Sequence, residues 1–381
     1  MNPTDTAPAR PAARTTPART TEVVTDEAAF AALGPAWERL HRRCGAATPF
    51  QSHAWLHAWW RSYGRPGRLR LVLVRSGADL VAAAPLMRVH RPLPALVPLG
   101  GAISDYGDVL VDDSLGDEAV AALADALARA ARGALIDLRE VRPGGAAERV
   151  YARWSGPRHR LDDSLCLELP AAPLAELVAR LPSAKHRQRA RAQLRRLDTL
   201  GIERRVVAPP EVERALDRLL ELHRLQWQGR KVTPEHLRPR FRDHLVRAAG
   251  PMVRSGDAVV TEFRLDGEVV AVDLTLLSAR LAGGYLYGAH PVLRQCRADV
   301  ALMLLDAATR QLRGPGTLSL LRGNEPYKHH WRPRPVANQR LLLARRRTAP
   351  LLTAALCRAG LLDRGRGLIR RWREREGGGG A

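Results

Sequence analysis

Lysine is almost absent from this sequence. Of its 61 Lys and Arg residues only Lys185, Lys231 and Lys328 are lysines, and the other 58 are arginines. Against 39 Asp and Glu residues they give a formal net charge of +22. Such an excess attracts phosphate in nucleic acids, lipids, nucleotides and coenzymes alike. Because Ala, Arg, Gly and Pro are all abundant, part of the excess fits a coding bias, and the charge alone assigns no function.

Cysteines, long apolar runs and aromatic residues are also scarce. The four cysteines lie far apart and form no C-x-x-C pair, which argues against a zinc or disulfide framework and fits a reducing compartment. No stretch approaches 18 uninterrupted apolar residues, so no transmembrane helix is predicted. Aromatic residues make up 5% of the chain, which argues against a nucleic-acid binder that depends on base stacking.

The N-terminus, MNPTDTAPARPAARTTPART, has no apolar run of the kind found in signal peptides. Its Pro, Thr, Ala and Arg content predicts a disordered tail over residues 1–21. We therefore expect a cytoplasmic protein whose folded part begins near residue 22.

Several enzyme motifs are missing as well. His53 and His57 have the i, i+4 spacing of a zinc pair, but Ala54 stands where H-E-x-x-H requires glutamate and no third ligand is evident. We find no G-x-S-x-G elbow and no Walker glycine loop. The sequence thus predicts no metal site and gives no support to hydrolase or nucleotide-triphosphatase functions.

Helical and strand patterns occur in an order that repeats. In the first half, a helix over about 26–43 and a second one, SHAWLHAWWRSYG, precede the strands LRLVLVR and LVAAAPLMRV, the helix GDEAVAALADALARAAR and the strand ALIDLREV. In the second half, the helices SAKHRQRARAQLRRLDTLG and EVERALDRLLELHRLQW precede a hairpin, VVTEFRLDGEVVAVDLTLL, with Asp266-Gly267 as its turn. The strand GGYLYGA, a helix over about 298–312 and the strand LSLLR follow.

Two segments, GADLVAAAPL at 77–86 and GEVVAVDLTL at 267–276, are alike at an offset of 190 positions. Together with the matching order of elements, they predict two copies of one α+β unit, over 22–165 and 166–348. By the right-handed crossover rule, the strand after each helix lies parallel to the strand before it, and a ligand site lies at their carboxyl ends. In the second half this places Tyr327 and Lys328 near the mouth of that site.

Five segments resemble one protein family: TPFQSHAWLHAWW, LGGAISDYGDVLVD, SAKHRQRARAQLRRLDTLG, YLYGAHP and RGNEPYKHHW. In this order, over about 48–331, they resemble the CelD/BcsL-like acetyltransferases, a FemAB-related branch of the GNAT superfamily. The resemblance implies tandem GNAT-like units, each a mixed, mostly antiparallel sheet with flanking helices and a splayed parallel strand pair. It also implies transfer of an acyl group, acetyl above all, from acyl-CoA to an amine of an envelope or small-molecule precursor.

The resemblance also implies contacts with the coenzyme. The backbone of YLYG would donate to the thioester oxygen, and the loop PVLRQCRAD would hold the pyrophosphate. The loop departs from the family pattern Q/R-x-x-G-x-G/A, because Arg297 and Asp299 stand where glycines belong. We expect Arg294 and Arg297 to offset the negative charge of Asp299. The expected coenzyme contacts are Tyr287, Gly288, Arg294, Arg297 and Asn324.

Other residues are candidates for chemistry and acceptor binding. Tyr327 is a candidate proton donor, and Lys328 is expected to contact donor phosphate or acceptor carboxylate. Glu262 and Asp273, on the hairpin strands, are candidates for the base, and the sequence does not decide between them. The candidate acceptor contacts are Asp105 and Tyr106 in SDYGD, and Lys185 and Arg187 on the basic helix that begins after Ser183.

Three alternatives stay open. The FemAB kinship leaves aminoacyl-tRNA as the donor, and the altered loop leaves a non-catalytic accessory protein of polysaccharide synthesis. The basic amphipathic segment 349–381 can lie on an anionic membrane surface or dock on its own protein.

Overall fold

A single mixed sheet runs through both halves of the chain. The structure, a computed structural model, describes residues 19–226, 233–311 and 316–362. The strands are β1 (Arg19–Val24), β2 (Leu69–Ser76), β3 (Asp79–Val89), β4 (Ala95–Pro98), β5 (Leu110–Val111), β6 (Leu135–Val141), β7 (Arg158–Pro170), β8 (Glu203–Val206), β9 (Ala258–Leu265), β10 (Glu268–Leu277), β11 (Leu281–Ala289), β12 (Thr317–Arg322) and β13 (Arg334–Leu343).

Helices cover both faces of this sheet. They are α1 (Glu27–Ala32), α2 (Gly34–Arg43), α3 (His53–Tyr63), α4 (Gly116–Ala130), α5 (Ala146–Arg153), α6 (Leu174–Ala179), α7 (Ala184–Thr199), α8 (Val212–Gln226), α9 (Pro239–Ser255), α10 (Val292–Gln295) and α11 (Val300–Thr309). The apolar residues of α8 and α9 pack on one face, and those of α6 and α11 pack on the other.

The strand order is β1-β2-β3-β4-β6-β13-β7-β12-β11-β10-β9-β8, with β5 paired to β3. Among the described strands two neighbouring pairs are parallel, β4–β6 and β11–β12. β11 and β12 flank α10 and α11, and β4 and β6 flank the short strand β5 and α4, so each pair is linked by a crossover that contains a helix. The predicted α+β fold, a mixed sheet with flanking helices, is confirmed.

The two halves exchange strands at the centre of the sheet. β7 follows the first half but pairs with β12 of the second, whereas β13 follows the second half but pairs with β6 of the first. β7 and β13 also pair with each other. The predicted boundary between 165 and 166 therefore falls inside β7, and the halves are joined by continuous hydrogen bonding.

Local signals in the sequence set several element ends. Ser52 caps α3 and Ser183 caps α7, each accepting a backbone N–H with its hydroxyl oxygen. Asp266 and Gly267 both have positive φ, as a two-residue hairpin turn needs. The predicted helix over about 26–43 is instead two helices, because Gly34-Pro35 interrupts it. The strand β1 begins at Arg19, three residues inside the predicted tail.

In the first half, the gap between the parallel strands is filled by the chain itself. β4 and β6 pair only at Ala95–Leu135 and Leu96–Ile136. Beyond that point Gly107 lies between them, and its N–H donates to the Glu140 carbonyl at 2.8 Å. A Cβ on Gly107 would stand 2.4 Å from the carbonyl oxygen of the residue before Glu140.

The C-terminal helical residues 349–362 begin by docking on the protein. Leu352 and Ala355 are buried against β4, β6 and β13, whereas Leu361 and Leu362 at the far end are exposed. The first turns of the predicted segment 349–381 thus dock on the protein, which is one of the two alternatives given above. Residues 363–381 lie outside the described part. Within the described ranges, no helix is long and apolar enough to cross a membrane.

In the second half, α8 packs directly on the backbone of β11. A Cβ built on Gly288 would lie 2.3 Å from the Leu219 carbonyl oxygen and 2.5 Å from the His223 nitrogen, both in α8. At Gly284, four residues earlier, the nearest atom would be 3.9 Å away, on Asp273. Glycine at 288 therefore sets the distance between helix and strand.

We expect Gly288→Ala to lower the free energy of unfolding by about 3 kcal/mol, because α8 cannot retreat without breaking its core contacts. Gly284→Ala, in the same strand, is the matched control and should change stability by less than about 1 kcal/mol. Urea unfolding followed by circular dichroism measures both. Equal effects of the two substitutions would contradict the packing described for α8.

Candidate active site

The gap that the first half fills is open in the second half. β11 and β12 pair from Leu281–Thr317 to Gly283–Ser319 and then diverge. A cavity of about 730 Å³ lies where they part. Its lining residues are Ala102, Ile103, Asp105, His223, Thr233, Glu235, His236, Asp273, Gly284, Tyr285, Leu286, Tyr287, Ala301, Leu304, Leu305, Ala308, Leu318, Ser319, Leu320, Leu321, Arg322, Gly323, Glu325, Tyr327, Lys328 and Trp331.

The cavity reaches both faces of the sheet, and its two ends differ in polarity. On one face α11 contributes four small or apolar side chains at the spacing of one helix face, beside Leu318 and Leu320 of β12. On the other face lie Asp105, His223 and His236, of which Asp105 belongs to the first half. A molecule that fills the gap therefore passes through the sheet from an end that is apolar apart from Asp273 to a polar end.

The edge of β11 that faces the gap exposes backbone groups. His290 N–H donates to β10, so residues at even positions face β10, and Tyr287 and Ala289 face the gap. Two side chains of α8 bind this edge: His223 Nδ1 donates to the Tyr287 carbonyl at 2.8 Å, and Gln226 Oε1 accepts from Ala289 N–H at 3.2 Å. The N–H of Tyr287 points to the same side, where β12 does not pair with it.

His223 and His236 form a linked pair in the wall of the cavity. Burial lowers the pKa of both imidazoles, and the neighbouring His223 contributes to bringing the pKa of His236 to about 4. Since a carbonyl only accepts, the Nδ1 of neutral His223 carries its proton, and its Nε2 accepts from His236 Nδ1 at 3.3 Å. The Nε2 of His236 then holds a lone pair. The ring of His236 is stacked on Phe241.

Asp273 lies in the same cavity, on the face covered by α11. Its side chain is 3% exposed, and Thr275 Oγ1 donates to its Oδ2 at 2.6 Å. Burial raises the pKa of this carboxyl to about 7. Asp273 is the direct cross-strand neighbour of Tyr287. The structure thus places a carboxyl that ionises near neutral pH beside the open edge of β11.

Glu262, the other candidate base, is not brought to the cavity. It pairs with Val272 across β9 and β10, so its side chain leaves the sheet on the face opposite to Asp273. Its carboxylate is held by Arg205 at 2.9 Å and by Arg264 at 3.0 Å. This contact set makes Glu262 a structural partner of two arginines.

The loop SDYGD of the first half meets β12 at the cavity. Arg322 Nε donates to Asp105 Oδ1 at 2.6 Å, Nη1 donates to Glu140 at 3.2 Å, and Nη2 donates to the Ala102 carbonyl at 2.5 Å. Asp105 lines the cavity, as an acceptor contact would. Its carboxylate is already shared with Arg322.

Tyr106 is buried, with 1% of its surface exposed. Its hydroxyl is 2.8 Å from Ser319 Oγ, at the point where β12 leaves β11, and Gln51 donates to its carbonyl at 3.0 Å. Tyr106 therefore holds β12 in place through Ser319. It does not line the cavity, as an acceptor contact was predicted to do.

Tyr327 and Lys328 both line the cavity, at its rim. The Lys328 ammonium is 2.9 Å from the Arg322 carbonyl oxygen and 2.8 Å from the Glu325 carboxylate, and the residue is 7% exposed. It ties the end of β12 to the turn that follows. Tyr327 is 45% exposed, and partial burial of its hydroxyl raises the pKa of the phenol, which is protonated at neutral pH.

Two predicted coenzyme contacts do not face the cavity. Gly288 is covered by α8, as described above. Asn324 is exposed, and its Oδ1 is 2.5 Å from His329 Nε2. Gly288 thus serves the packing of α8, and Asn324 contacts a neighbouring side chain of its own loop.

Arg294 and Arg297 line a second cavity, of about 650 Å³, between the end of β11 and the start of α11. Arg297 has a φ of 54°, the left-handed conformation that glycine would supply in the family pattern. Asp299 caps α11, and its Oδ1 accepts from Leu302 N–H at 3.1 Å. The loop thus makes a left-handed turn at Arg297 and begins α11 at the Asp299 cap.

The backbone N–H groups of this loop are used within the loop. Those of residues 292–298 donate to His290 Nδ1 or to carbonyl oxygens of residues 290–294, and the bond from Ala298 to Leu293 closes the turn around Arg297. A pyrophosphate would need such donors free. The open gap fits a thioester arm, but the loop does not form a backbone cradle for the pyrophosphate of coenzyme A.

Lys185 and Arg187 line neither cavity. Lys185 is exposed in the first turn of α7, and Arg187 donates to the Leu181 carbonyl at 2.9 Å. The structure does not bring these two acceptor candidates to the gap.

Sequence reasoning missed His223, Gln226, His236 and Trp331. The first two lie three residues apart at the end of the helix EVERALDRLLELHRLQW, and His223 follows Leu216 and Leu219 on its apolar face. A histidine on an apolar stripe was the available signal. For His236 and Trp331, which lie in 3-10 turns, we see no periodic signal.

Comparison with known proteins adds to this geometry. Residues 184–329 match the family described as "Acetyltransferase (GNAT) domain". Over this segment the chain is similar to GNAT acetyltransferase domains. The segment includes β11, β12 and the lining of the second cavity, whereas the first cavity is also lined by Asp105 and its neighbours in the first half. No curated protein matches the chain.

Solved structures share the fold of most of the chain. FemX is 12% identical with a TM-score of 0.58, over 84% of this chain and 98% of that chain. A conserved protein of unknown function from Bacteroides thetaiotaomicron VPI-5482 is 12% identical with a TM-score of 0.56, over 85% and 99%. L-PGS from Bacillus licheniformis is 14% identical with a TM-score of 0.54, over 85% and 96%. At these identities the likeness shows the fold, and the CelD/BcsL branch stays a prediction.

Because the pKa of Asp273 is raised, the free energy of unfolding should depend on pH. The pKa of an unfolded Asp is about 3.9, so between about pH 4 and pH 7 the folded chain keeps a proton that the unfolded chain has lost, and stability falls as the pH rises. From pH 5 to pH 8 we expect the wild type to lose about 3 kcal/mol relative to Asp273→Asn.

Urea unfolding at the two pH values measures this difference. Glu268→Gln, at the exposed start of the same strand, controls for the loss of a carboxylate. If the wild type and Asp273→Asn follow parallel curves, the carboxyl is not held in the environment described.

Proposed function

We propose that the protein is an N-acyltransferase that moves an acyl group from a thioester to an amine inside the gap between β11 and β12. The observation that carries this proposal is the unpaired edge of β11, which presents the N–H of Tyr287 to a cavity open on both faces of the sheet. A thioester carbonyl placed there would receive the hydrogen bond that its oxygen needs as negative charge develops.

The reaction needs one proton acceptor and one proton donor. The amine nitrogen attacks the thioester carbon, a C–N bond forms, and the C–S bond then breaks to release the thiolate. Asp273 takes the proton from the attacking amine. Tyr327, whose phenol is protonated at neutral pH, returns a proton to the departing sulfur. This proton transfer leaves an amide and a free thiol.

Two further groups hold the geometry. His223, supported by His236, binds the Tyr287 carbonyl, and this contact keeps the N–H of Tyr287 directed into the gap. Lys328 holds the Arg322 carbonyl and Glu325, which fixes the turn that carries Tyr327. Both are positioning groups in this proposal.

Acyl-CoA is the donor that GNAT domains generally use, and we propose it as the first thioester to test. Its arm would enter from the α11 face, where the cavity is apolar. Its phosphates would then depend on the side chains of Arg294 and Arg297, because the loop offers few free N–H groups. We propose an amine of an envelope or small-molecule precursor as the acceptor, which would approach from the polar end beside Asp105.

The base can be identified from the pH dependence of the rate. With acetyl-CoA as donor and the best acceptor from a panel of amino sugars and amino acids, release of thiol is followed from pH 5 to pH 9. If Asp273 is the base, kcat rises with pH through about 7, where its carboxyl ionises. Asp273→Asn should lose about 10²-fold or more in kcat, together with this limb.

A kcat that is already at its plateau at pH 5 would identify His236 in place of Asp273, because the pKa of its imidazole is about 4. His236→Gln tests this outcome directly. Unchanged kinetics in Asp273→Asn would remove Asp273 from the reaction.

Coenzyme A binding tests the second cavity. In calorimetry we expect saturable binding that Arg294→Ala weakens by about tenfold, because one charge-assisted phosphate contact is lost. Arg254→Ala, an exposed arginine on α9 away from both cavities, should bind as the wild type does. No binding at millimolar coenzyme A would exclude it as the donor, and equal effects of both variants would exclude the cavity as the phosphate site.

A further inference from the structure

The helix α7 lies beside the mouth of the gap on the donor side. Arg196 Nη2 donates to the Cys296 carbonyl of the β11–α11 loop at 2.7 Å, and Gln193 lines the second cavity with Arg294 and Arg297. Ala190, Leu194 and Leu197 turn toward the protein. The opposite face of α7 therefore stands directly next to the loop that would receive the donor.

This opposite face is strongly cationic and exposed. Its charged side chains are Lys185, Arg189, Arg191, Arg195 and Arg196. None of them forms an ion pair with a carboxylate in the part of the chain that the structure describes. Elsewhere in the protein the arginines are commonly paired, as Arg205 is with Glu211 and Glu262.

The first turn of α7 has Lys185, His186 and Arg187 and no acidic residue. Cations at this end oppose the helix dipole, which favours negative charge there. These cations have no carboxylate partner and lie where the helix dipole disfavours them. Such an arrangement fits a surface that receives an anionic partner. Charged surfaces of this kind act mainly by attracting a partner of opposite charge and by disfavouring partners of the same charge.

The loop beside α7 shows what kind of anionic donor fits. Its N–H groups are used internally and Asp299 occupies the start of α11, so it lacks the backbone cradle for the pyrophosphate of a nucleotide. A donor whose arm ends in a single phosphodiester on a protein does not need that cradle. Its affinity would come from protein contacts outside the cavity.

We propose that the thioester is presented by an acidic carrier protein, which docks on the cationic face of α7 and inserts a phosphopantetheine arm into the gap. This inference rests on the proposed acyl transfer and specifies the donor. RNA would also be attracted to the cations, but α7 carries no aromatic side chain for base stacking, and the gap accepts a linear arm.

Binding of three probes tests the inference: a phosphopantetheinylated acyl carrier protein of the type that serves fatty-acid synthesis, its unmodified form, and coenzyme A. We expect the modified carrier to bind about tenfold or more tightly than coenzyme A at low salt, and to weaken as salt screens the contact. The unmodified carrier should bind more weakly than the modified one, because it lacks the arm.

A charge-reversed variant, Arg191→Glu with Arg195→Glu, should bind the modified carrier at least about tenfold more weakly while coenzyme A binding stays unchanged. The matched control is Arg39→Glu with Arg42→Glu, two exposed arginines on α2 in the first half, which should leave carrier binding unchanged. Circular dichroism verifies that both variants are folded.

Several outcomes would overturn the carrier inference. These are coenzyme A binding as tightly as the modified carrier, equal losses in the two charge-reversed variants, or bulk tRNA binding to α7 where the carrier does not. In each case acylation of an amine by acetyl-CoA would leave the proposed function standing. If neither acetyl-CoA nor an acetylated carrier yields any acylated amine, the proposed function itself fails.

Discussion

The separation of β11 from β12 beyond Gly283 is the constraint around which the second half is arranged. A strand edge inside a protein needs hydrogen-bond partners, and here they come from the α8 side chains His223 and Gln226. What they leave is the N–H of Tyr287. In the first half the same divergence is filled by Gly107, so the repeated fold yields one open gap and one closed gap. The first half, in which the gap is filled, supplies part of the cavity wall and holds β12 in place.

The candidate site consequently depends on both halves. Tyr106 of the first half holds Ser319 where β12 turns away, and Asp105 neutralises Arg322 at the rim. Strand exchange through β7 and β13 adds continuous backbone bonding beneath these contacts. A cut near residue 165 would remove β7 from one half and one wall of the cavity from the other. Both halves therefore contribute to one candidate site.

Much of the fold could be predicted from local signals, because caps, the hairpin turn and the crossover rule act over short distances. The gap and the position of Tyr327 and Lys328 near its mouth followed from that topology, whereas the sequence did not decide between Asp273 and Glu262 as the candidate base. β7 and the role of Glu262 could not be predicted: one depends on pairing with strands more than 150 positions away, and the other depends on which face of β9 is covered. His236 was missed because nothing in its local sequence shows that it meets His223.

The position of Lys328 bears on why this chain, with 58 arginines, has a lysine there. Its ammonium sits between a carbonyl oxygen and a carboxylate, both within 3 Å, and is almost fully buried. A guanidinium is planar, larger and carries five donors, which this space could not satisfy. The compact ammonium closes the turn after β12 and leaves Tyr327 at the rim. Lys328, which the sequence suggests as a contact for donor phosphate or acceptor carboxylate, is thus better explained as the group that holds Tyr327 in place.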